Sequence, residues 1–185
     1  MPQHNSRSQE LVIPAASLAA LRRSLTEQLG AQEAALALQR AGHAAGDAFY
    51  LLLLQTVDGG GSDGLAQLGE DAFWRRFNEL LAARGWGQLR HEQAHVGVGA
   101  LNSTSWGEAD PVEFGTRPSC FFSTGLFSSL LGKVAGREVG VFEVECRSKG
   151  DDRCRFLFGG ADALGAVYQA LADGRDVDDA LTALQ

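Results

Sequence analysis

The sequence has few cysteines, no long apolar run and no recognisable leader, and each shortage excludes a class of protein. Its 185 residues contain three cysteines, an odd number that does not fit a framework of disulfides. The longest apolar block runs from Ala48 to Leu54, far short of the ~20 residues that a membrane-spanning helix needs. The first ten residues are polar and lack the pattern of a secretory signal. These features predict a protein of a reducing compartment, with the cytoplasm as the default, and no membrane partner.

Positive charge is also scarce. The chain carries 16 Lys and Arg against 23 Asp and Glu, which gives a net charge of -7. A chain this acidic is repelled by phosphate backbones. Its sparse basic group, Arg75, Arg76, Arg84 and Arg90, is typical of a solvated helix face. We therefore expect no nucleic-acid partner.

The motifs that usually indicate catalysis are missing as well. The glycine-rich stretch from Gly59 to Gly64 lacks the Lys-Ser/Thr ending of a phosphate-binding loop. The segment Gly97-Val98-Gly99 lies inside a strand pattern, so it is not a dinucleotide fingerprint. No Ser/His/Asp set or pair of catalytic carboxylates stands out. The sequence alone therefore does not predict an enzyme.

What the sequence does have is clear periodicity. Apolar spacing of three to four predicts helices at 17–29, from about 32 to 54, around 73–81, and at 121–134, 164–171 and 177–184. Alternation predicts strands within 89–101 and a hairpin of 138–147 with 153–158. Residues 1–10 are predicted as a flexible tail and 11–185 as a single domain. This order predicts an α+β domain in which helices pack on one face of an antiparallel sheet.

The three cysteines lie close together in the chain, from Cys120 to Cys154. Cys146 and Cys154 face each other across the predicted hairpin, and Cys120 begins a helix whose dipole favours a thiolate. Three sulfurs and a carboxylate form a tetrahedral set that suits zinc. The carboxylate would come from Glu143 or Glu145, but in a flat strand neither shares a face with Cys146, so a bulge is required. The alternative is three unrelated cysteines, two of which could form a cross-strand disulfide.

The segments Cys120 to Leu126, Glu143 to Asp151 and Cys154 to Phe156 resemble the 4-vinyl-reductase domain family. The family is related to a subunit type of the vesicle-tethering transport particle. The chain is also similar to the sensor domain of phenol-responsive bacterial transcription activators. The resemblance is specific over residues 102–158 and looser over the helical first half. It implies a transport-particle-subunit-like fold and a domain that binds small apolar molecules.

The resemblance also implies site residues. In the phenol sensors, zinc is held by a Cys, by a Glu three residues before a second Cys, and by a third Cys eight residues later. Cys120, Glu143, Cys146 and Cys154 match this pattern, which implies Glu143 as the carboxylate and a closed structural zinc. The sensors contact their effector with a tryptophan before the first ligand Cys, which implies Trp106. None of the four histidines matches the sensors' pocket histidine, and without the sensors' ATPase and DNA-binding parts the chain is expected to stand alone.

Three functions follow as hypotheses. The first is a non-enzymatic sensor domain that binds an apolar or aromatic small molecule between sheet and helices. Candidate pocket residues are Trp106, Trp74, Phe77, Phe121, Phe122 and Phe127, although each of these side chains other than Trp106 is more typical of a core. The second is reduction of a tetrapyrrole vinyl group, which needs a hydride source. The third is an interaction scaffold, a homodimer formed through the stripe of Leu18, Leu21 and Leu25.

Overall fold

The computed structural model describes residues 10–57, 62–110 and 115–184. Within these ranges the chain forms seven α-helices, one 3₁₀ turn and four strands. In chain order they are α1 (Ala15–Leu29), α2 (Ala31–Leu54), α3 (Ser62–Ala66), α4 (Glu70–Ala82), β1 (Arg90–His95), β2 (Val98–Ser103), α5 (Phe121–Ala135), β3 (Gly140–Glu145), the 3₁₀ turn (Arg147–Lys149), β4 (Cys154–Gly159), α6 (Ala161–Ala172) and α7 (Val177–Thr182). The predicted tail, apart from its last residue, and half of the glycine-rich stretch lie outside the described residues.

The helices that periodicity predicts are confirmed, with ends within a few residues of the prediction. Helix α1 stops at Gly30, whose φ of 82° is left-handed and whose N–H bonds to the carbonyl of Thr26. Helix α5 stops at Gly136 in the same way, with φ 63°. Glycine reaches this conformation without the steric cost that other residues meet, so it ends helices at these points. No helix among the described residues is long and apolar enough to span a bilayer.

The backbones of helices α2 and α5 lie in close contact. A Cβ added at Gly42 of α2 would lie 1.9 Å from the carbonyl oxygen of Phe122, and one added at Gly125 of α5 would lie 2.0 Å from that of Gln39. Both distances are far below any real contact. The glycines therefore let α2 continue unbroken while α5 packs directly against it.

The four strands form one antiparallel sheet in the order β1-β2-β4-β3. Side chains on one face, such as Leu101 and Phe156, belong to a core shared with α2, α4 and α5. Side chains on the other face, such as Ala100 and Leu157, pack against α6 and α7. The α+β class with an antiparallel sheet is confirmed. The expectation that helices pack on one face is wrong. The central strands β2 and β4 are apolar on both faces, so helices α6 and α7 bury the second face.

Candidate functional site

The four candidate metal ligands converge although they come from distant parts of the chain. Cys120 precedes α5, Glu143 lies on β3, Cys146 follows β3 and Cys154 begins β4. Their ligand atoms all lie within 4.8 Å of one another. The Cys120 Sγ is 3.8 Å from the Cys146 Sγ and 4.0 Å from the Cys154 Sγ. All three cysteines are free and buried, so the cluster has the composition and spacing to hold a metal ion.

A bulge in β3 brings Glu143 to the same face as the cysteines. Glu143 pairs with Phe156 and Glu145 pairs with Arg155, so Val144 is an extra residue that shifts the register between them. With one residue bulged out, Glu143 and Cys146 lie on one face of the hairpin instead of on opposite faces. This is the bend that the spacing of the two residues requires.

The same bulge turns Glu145 away from the cluster. Its carboxylate accepts hydrogen bonds from Arg153 at 2.7 and 3.0 Å. These hydrogen bonds, with the charge of Arg153, hold the pKa of Glu145 below its usual value. Glu145 is therefore a paired carboxylate on the opposite face and does not contribute to the metal site.

Only one of the two oxygens of the Glu143 carboxylate has a hydrogen-bond partner among the described residues. One oxygen, Oε2, accepts the backbone N–H of Cys120 at 2.9 Å. The other, Oε1, is buried and has no hydrogen-bond partner among the described residues. Burial raises the pKa of this carboxyl to about 9. A buried carboxylate oxygen without a partner is costly unless a cation sits next to it, so the residues present fit a metal ion.

The pKa shifts of the three thiols also favour a bound cation. Hydrogen bonds from the Cys120 and Cys154 thiols lower the pKa of Cys146, whereas burial raises the pKa of Cys120. The cluster therefore favours a thiolate at Cys146, and a bound cation would replace the remaining thiol protons, because metals bind thiolates.

Backbone geometry around Cys146 is fixed by the turn that follows it. The Cys146 N–H donates to Asp151 Oδ2 at 2.7 Å, and its carbonyl accepts the N–H of Lys149 at 2.8 Å. Gly150 closes the turn with φ 99°. The turn thereby holds Cys146 beside Cys154 at the start of the next strand.

Trp106 lies in the core next to the start of α5. It is 1% exposed, and its indole N–H donates to the Ser123 hydroxyl at 2.8 Å. That hydroxyl donates in turn to Glu108, which also accepts the backbone N–H groups of Phe122 and Ser123 at 2.9 and 2.7 Å. The buried carboxylate of Glu108 thus caps α5 from a distant loop, and burial raises its pKa to about 7. Glu108 was not predicted from the sequence, because nothing in its local pattern indicates a cap.

A cavity of about 410 Å³ opens between the sheet, α4 and the end of α5. Its lining residues are Glu70, Phe73, Trp74, His91, Gln93, Gly97, Gly99, Leu131, Val134, Ala135, Arg137, Val139, Phe158 and Gly159. We call this cavity the Trp74 groove. The imidazole of His91 stacks on Trp74 with ring centres 4.0 Å apart and an angle of 11°. The groove therefore offers a flat aromatic wall that includes the imidazole of His91, with Glu70 and Arg137 as its other ionisable lining residues.

Among the six aromatic candidates, Trp74 lines this groove. Phe77 and Phe127 are fully buried beneath it, with Trp106 packed on Phe127 at 5.3 Å. Phe121 and Phe122 lie half-buried at the start of α5, where Phe122 stacks on Trp86. As ligand contacts these five stay predictions, since the cavity does not reach them. His91 and Phe158 also line the groove but were not predicted as ligand contacts. Both lie on strands that the alternating pattern predicts, β1 and β4.

Comparisons with known proteins agree with this geometry. A model of the 4-vinyl-reductase domain matches residues 109–159, the stretch that contains all four candidate ligands. The crystal structure of the phenol-responsive sensory domain of the transcription activator PoxR, solved with phenol, is similar over 88% of this chain and 82% of that one, with a TM-score of 0.68 and 20% identity. A vinyl-4-reductase family protein from Methanocaldococcus jannaschii matches over 83% of each chain, with a TM-score of 0.50 and 16% identity. No curated protein sequence matches the chain significantly.

These findings confirm the resemblance to the 4-vinyl-reductase domain that the residues around the cysteines indicate. At this level of identity the solved structures show that the fold is shared. The likeness to a transport-particle subunit stays a prediction.

Proposed function

We propose that this chain is a sensor-type domain that binds an apolar or aromatic small molecule in the Trp74 groove. The observation that carries the proposal is a cavity of about 410 Å³ with a largely aromatic and aliphatic lining. This volume lies within the range of known small-molecule sites, which are mostly apolar with a few polar groups. The shared fold with a sensory domain that was solved with phenol supports the same function.

The groove has features that favour a flat ring with a polar substituent. Trp74 and Phe158 lie with ring centres 5.6 Å apart, so they present aromatic surface at one wall. Burial lowers the pKa of His91 despite the nearby charge of Glu70. At neutral pH the imidazole is therefore uncharged and offers one N–H and one lone pair. The Nδ1 atom lies 3.5 Å from Glu70 Oε1, so a hydroxyl group on the ligand would complement Nε2.

We further propose that the metal is zinc and that its role is structural. Zinc binds thiolate sulfur at about 2.3 Å in a tetrahedron, which places neighbouring sulfurs about 3.8 Å apart. The distances of 3.8 and 4.0 Å from Cys120 to the other two sulfurs agree with that edge length. Four protein ligands leave no open position, as in closed structural sites. The ion would fasten the start of α5 to the β3–β4 hairpin.

A titration with small aromatic molecules tests the ligand proposal. We expect phenol, toluene or the dye anilinonaphthalene sulfonate to bind the zinc-loaded protein, as measured by calorimetry and dye displacement. The variant Trp74→Leu is expected to weaken binding at least ~10-fold, since a well-packed aromatic side chain contributes about 1.5–3 kcal/mol on burial. Trp86→Leu is the matched control, because Trp86 is also half-buried but lies outside the groove. If none of the three probes binds, or if both variants behave alike, the groove is not the ligand site.

An interaction scaffold is the second candidate, because apolar side chains of α1 face solvent. On α1, Leu21 is 48% and Leu29 51% exposed, whereas Leu18 and Leu25 of the predicted stripe are half-buried. Leu18, Leu21, Leu25 and Leu29 recur at helical spacing and share one face of α1, so we propose that this face forms a homodimer. Light scattering tests it: the wild type should have twice the chain mass and Leu21→Glu/Leu29→Glu the single mass, whereas a monomeric wild type would contradict it. The vinyl-reductase alternative stays a prediction.

A further inference from the structure

The ionisable side chains that line the Trp74 groove differ in how far the protein itself engages them. Glu70 is 70% exposed, and its Oε1 lies 3.5 Å from Nδ1 of His91. The guanidinium group of Arg137, in contrast, forms no hydrogen bond or ion pair within the described part of the chain. A cation is therefore the charged group of this lining that is free to pair with a ligand.

The backbone fixes the position from which the Arg137 side chain extends. Arg137 follows Gly136, which ends α5, and its N–H donates to the carbonyl of Gly132 at 3.2 Å. Two residues later the carbonyl of Val139, which also lines the groove, accepts the Ser128 hydroxyl at 2.6 Å. Only the exposed side chain of Arg137 has to be ordered when a ligand binds, which keeps the entropic cost of pairing small.

Aromatic rings form much of the rest of the lining. Trp74 lies with its ring centre 4.8 Å from that of Phe73, 4.0 Å from that of His91 and 5.6 Å from that of Phe158. Aromatic rings attract one another beyond the effect of buried area alone. A flat aromatic ring therefore complements this lining better than a saturated ring or an alkyl chain.

An aromatic lining with one unpaired guanidinium group favours a ligand that is both aromatic and anionic. Guanidinium groups bind carboxylates through two parallel hydrogen bonds. We propose that the Trp74 groove binds an aromatic carboxylic acid, whose ring packs against the aromatic lining and whose carboxylate accepts hydrogen bonds from Arg137. This inference rests on the function proposed above and adds the charge of the ligand to it. Repulsion by Glu70 is weak, because that side chain is 70% exposed and water screens its charge.

Calorimetric titration of the zinc-loaded wild-type protein with 4-hydroxybenzoate and 4-hydroxybenzamide tests the charge of the ligand. The two molecules have nearly the same shape, but only the first is an anion at pH 7. We expect the acid to bind at least ~5-fold more tightly, which is the size of a charge-assisted pair that is partly screened by water. Equal binding of the acid and the amide would overturn the proposal.

Benzoate and cyclohexanecarboxylate test the aromatic part in the same way. Both carry the carboxylate, but only benzoate has a flat aromatic ring. Cyclohexanecarboxylate should bind at least ~2-fold more weakly, because it lacks the ring–ring attraction. If it binds as tightly as benzoate, the ligand is not selected for an aromatic ring and the assignment is wrong.

Two arginine variants locate the carboxylate. Arg137→Gln should abolish the preference for the acid over the amide. Arg75→Gln makes the same charge change on an exposed arginine of α4 that does not line the groove, so it should keep the preference. The same preference in both variants would contradict the role of Arg137.

Phenol separates this inference from the function on which it rests. If phenol binds but the acid has no advantage over the amide, the groove is a ligand site and only the carboxylate assignment is wrong. If neither phenol nor any of the acids binds, both proposals are wrong.

Discussion

Replacing Cys146 with alanine removes the sulfur that lies 3.8 Å from the sulfur of Cys120. Two sulfurs and one carboxylate would remain. A structural ion stabilises the folded state by an amount set by its affinity, about 4 kcal/mol when free zinc is at 1,000 times Kd. Three ligands bind far more weakly than four, so most of this free energy is lost. For a domain of this size each kcal/mol corresponds to about 2–4 °C of melting temperature.

We therefore expect Cys146→Ala to melt roughly 8–16 °C below the wild type when zinc is present. Differential scanning calorimetry with and without a chelator separates the metal from simple packing. In the chelator the two proteins should differ by only about 1 kcal/mol, the cost of one small buried group. A variant that lost the same melting temperature under both conditions would refute the reasoning, because its effect would then be packing alone.

Three further predictions concern the surroundings of the same centre. Glu143→Gln should lose most of its zinc in a chelator competition, whereas Glu145→Gln, which makes the same change across the bulge, should keep it; equal loss would mean that the bulge does not select the ligand. Burial raises the pKa of Glu108 in the folded protein to about 7. The protonated side chain therefore contributes its full stabilisation below the pKa of the unfolded state, and this contribution falls as pH rises toward 7. The free energy of unfolding of the zinc-loaded wild type, relative to Glu108→Gln, should therefore decrease between about pH 4.5 and 7, and a flat difference would contradict this. Trp106→Phe should cost about 1–3 kcal/mol in urea denaturation through the lost hydrogen bond to Ser123, without loss of zinc; unchanged stability would place Trp106 outside the core.

The helices and strands were predictable from the sequence because their signals are local. Leucines at helical spacing, glycines at the helix ends and alternation around the hairpin turn are each contained within a few residues. The meeting of Cys146 and Cys154 follows from the same hairpin. The register around Val144 does not, because a bulge depends on which partner strand is present. For this reason spacing alone could not choose between Glu143 and Glu145, and the choice rested on the family pattern.

Contacts between distant segments account for the remaining differences. Helices α6 and α7 cover the second face of the sheet because β2 is apolar on both faces, with Leu101 on one and Ala100 on the other. The groove is assembled from α4, the end of α5 and three strands, so its lining has no contiguous signature. Such residues become visible only when the strand order is known.

X-ray absorption at the zinc edge, on protein purified without added metal, tests whether Cys120, Glu143, Cys146 and Cys154 hold zinc. We predict one zinc per chain with three sulfur neighbours at about 2.3 Å and a single oxygen at about 2.0–2.2 Å. A shell made only of oxygen and nitrogen neighbours, or protein that carries no zinc and does not take it up, would contradict it.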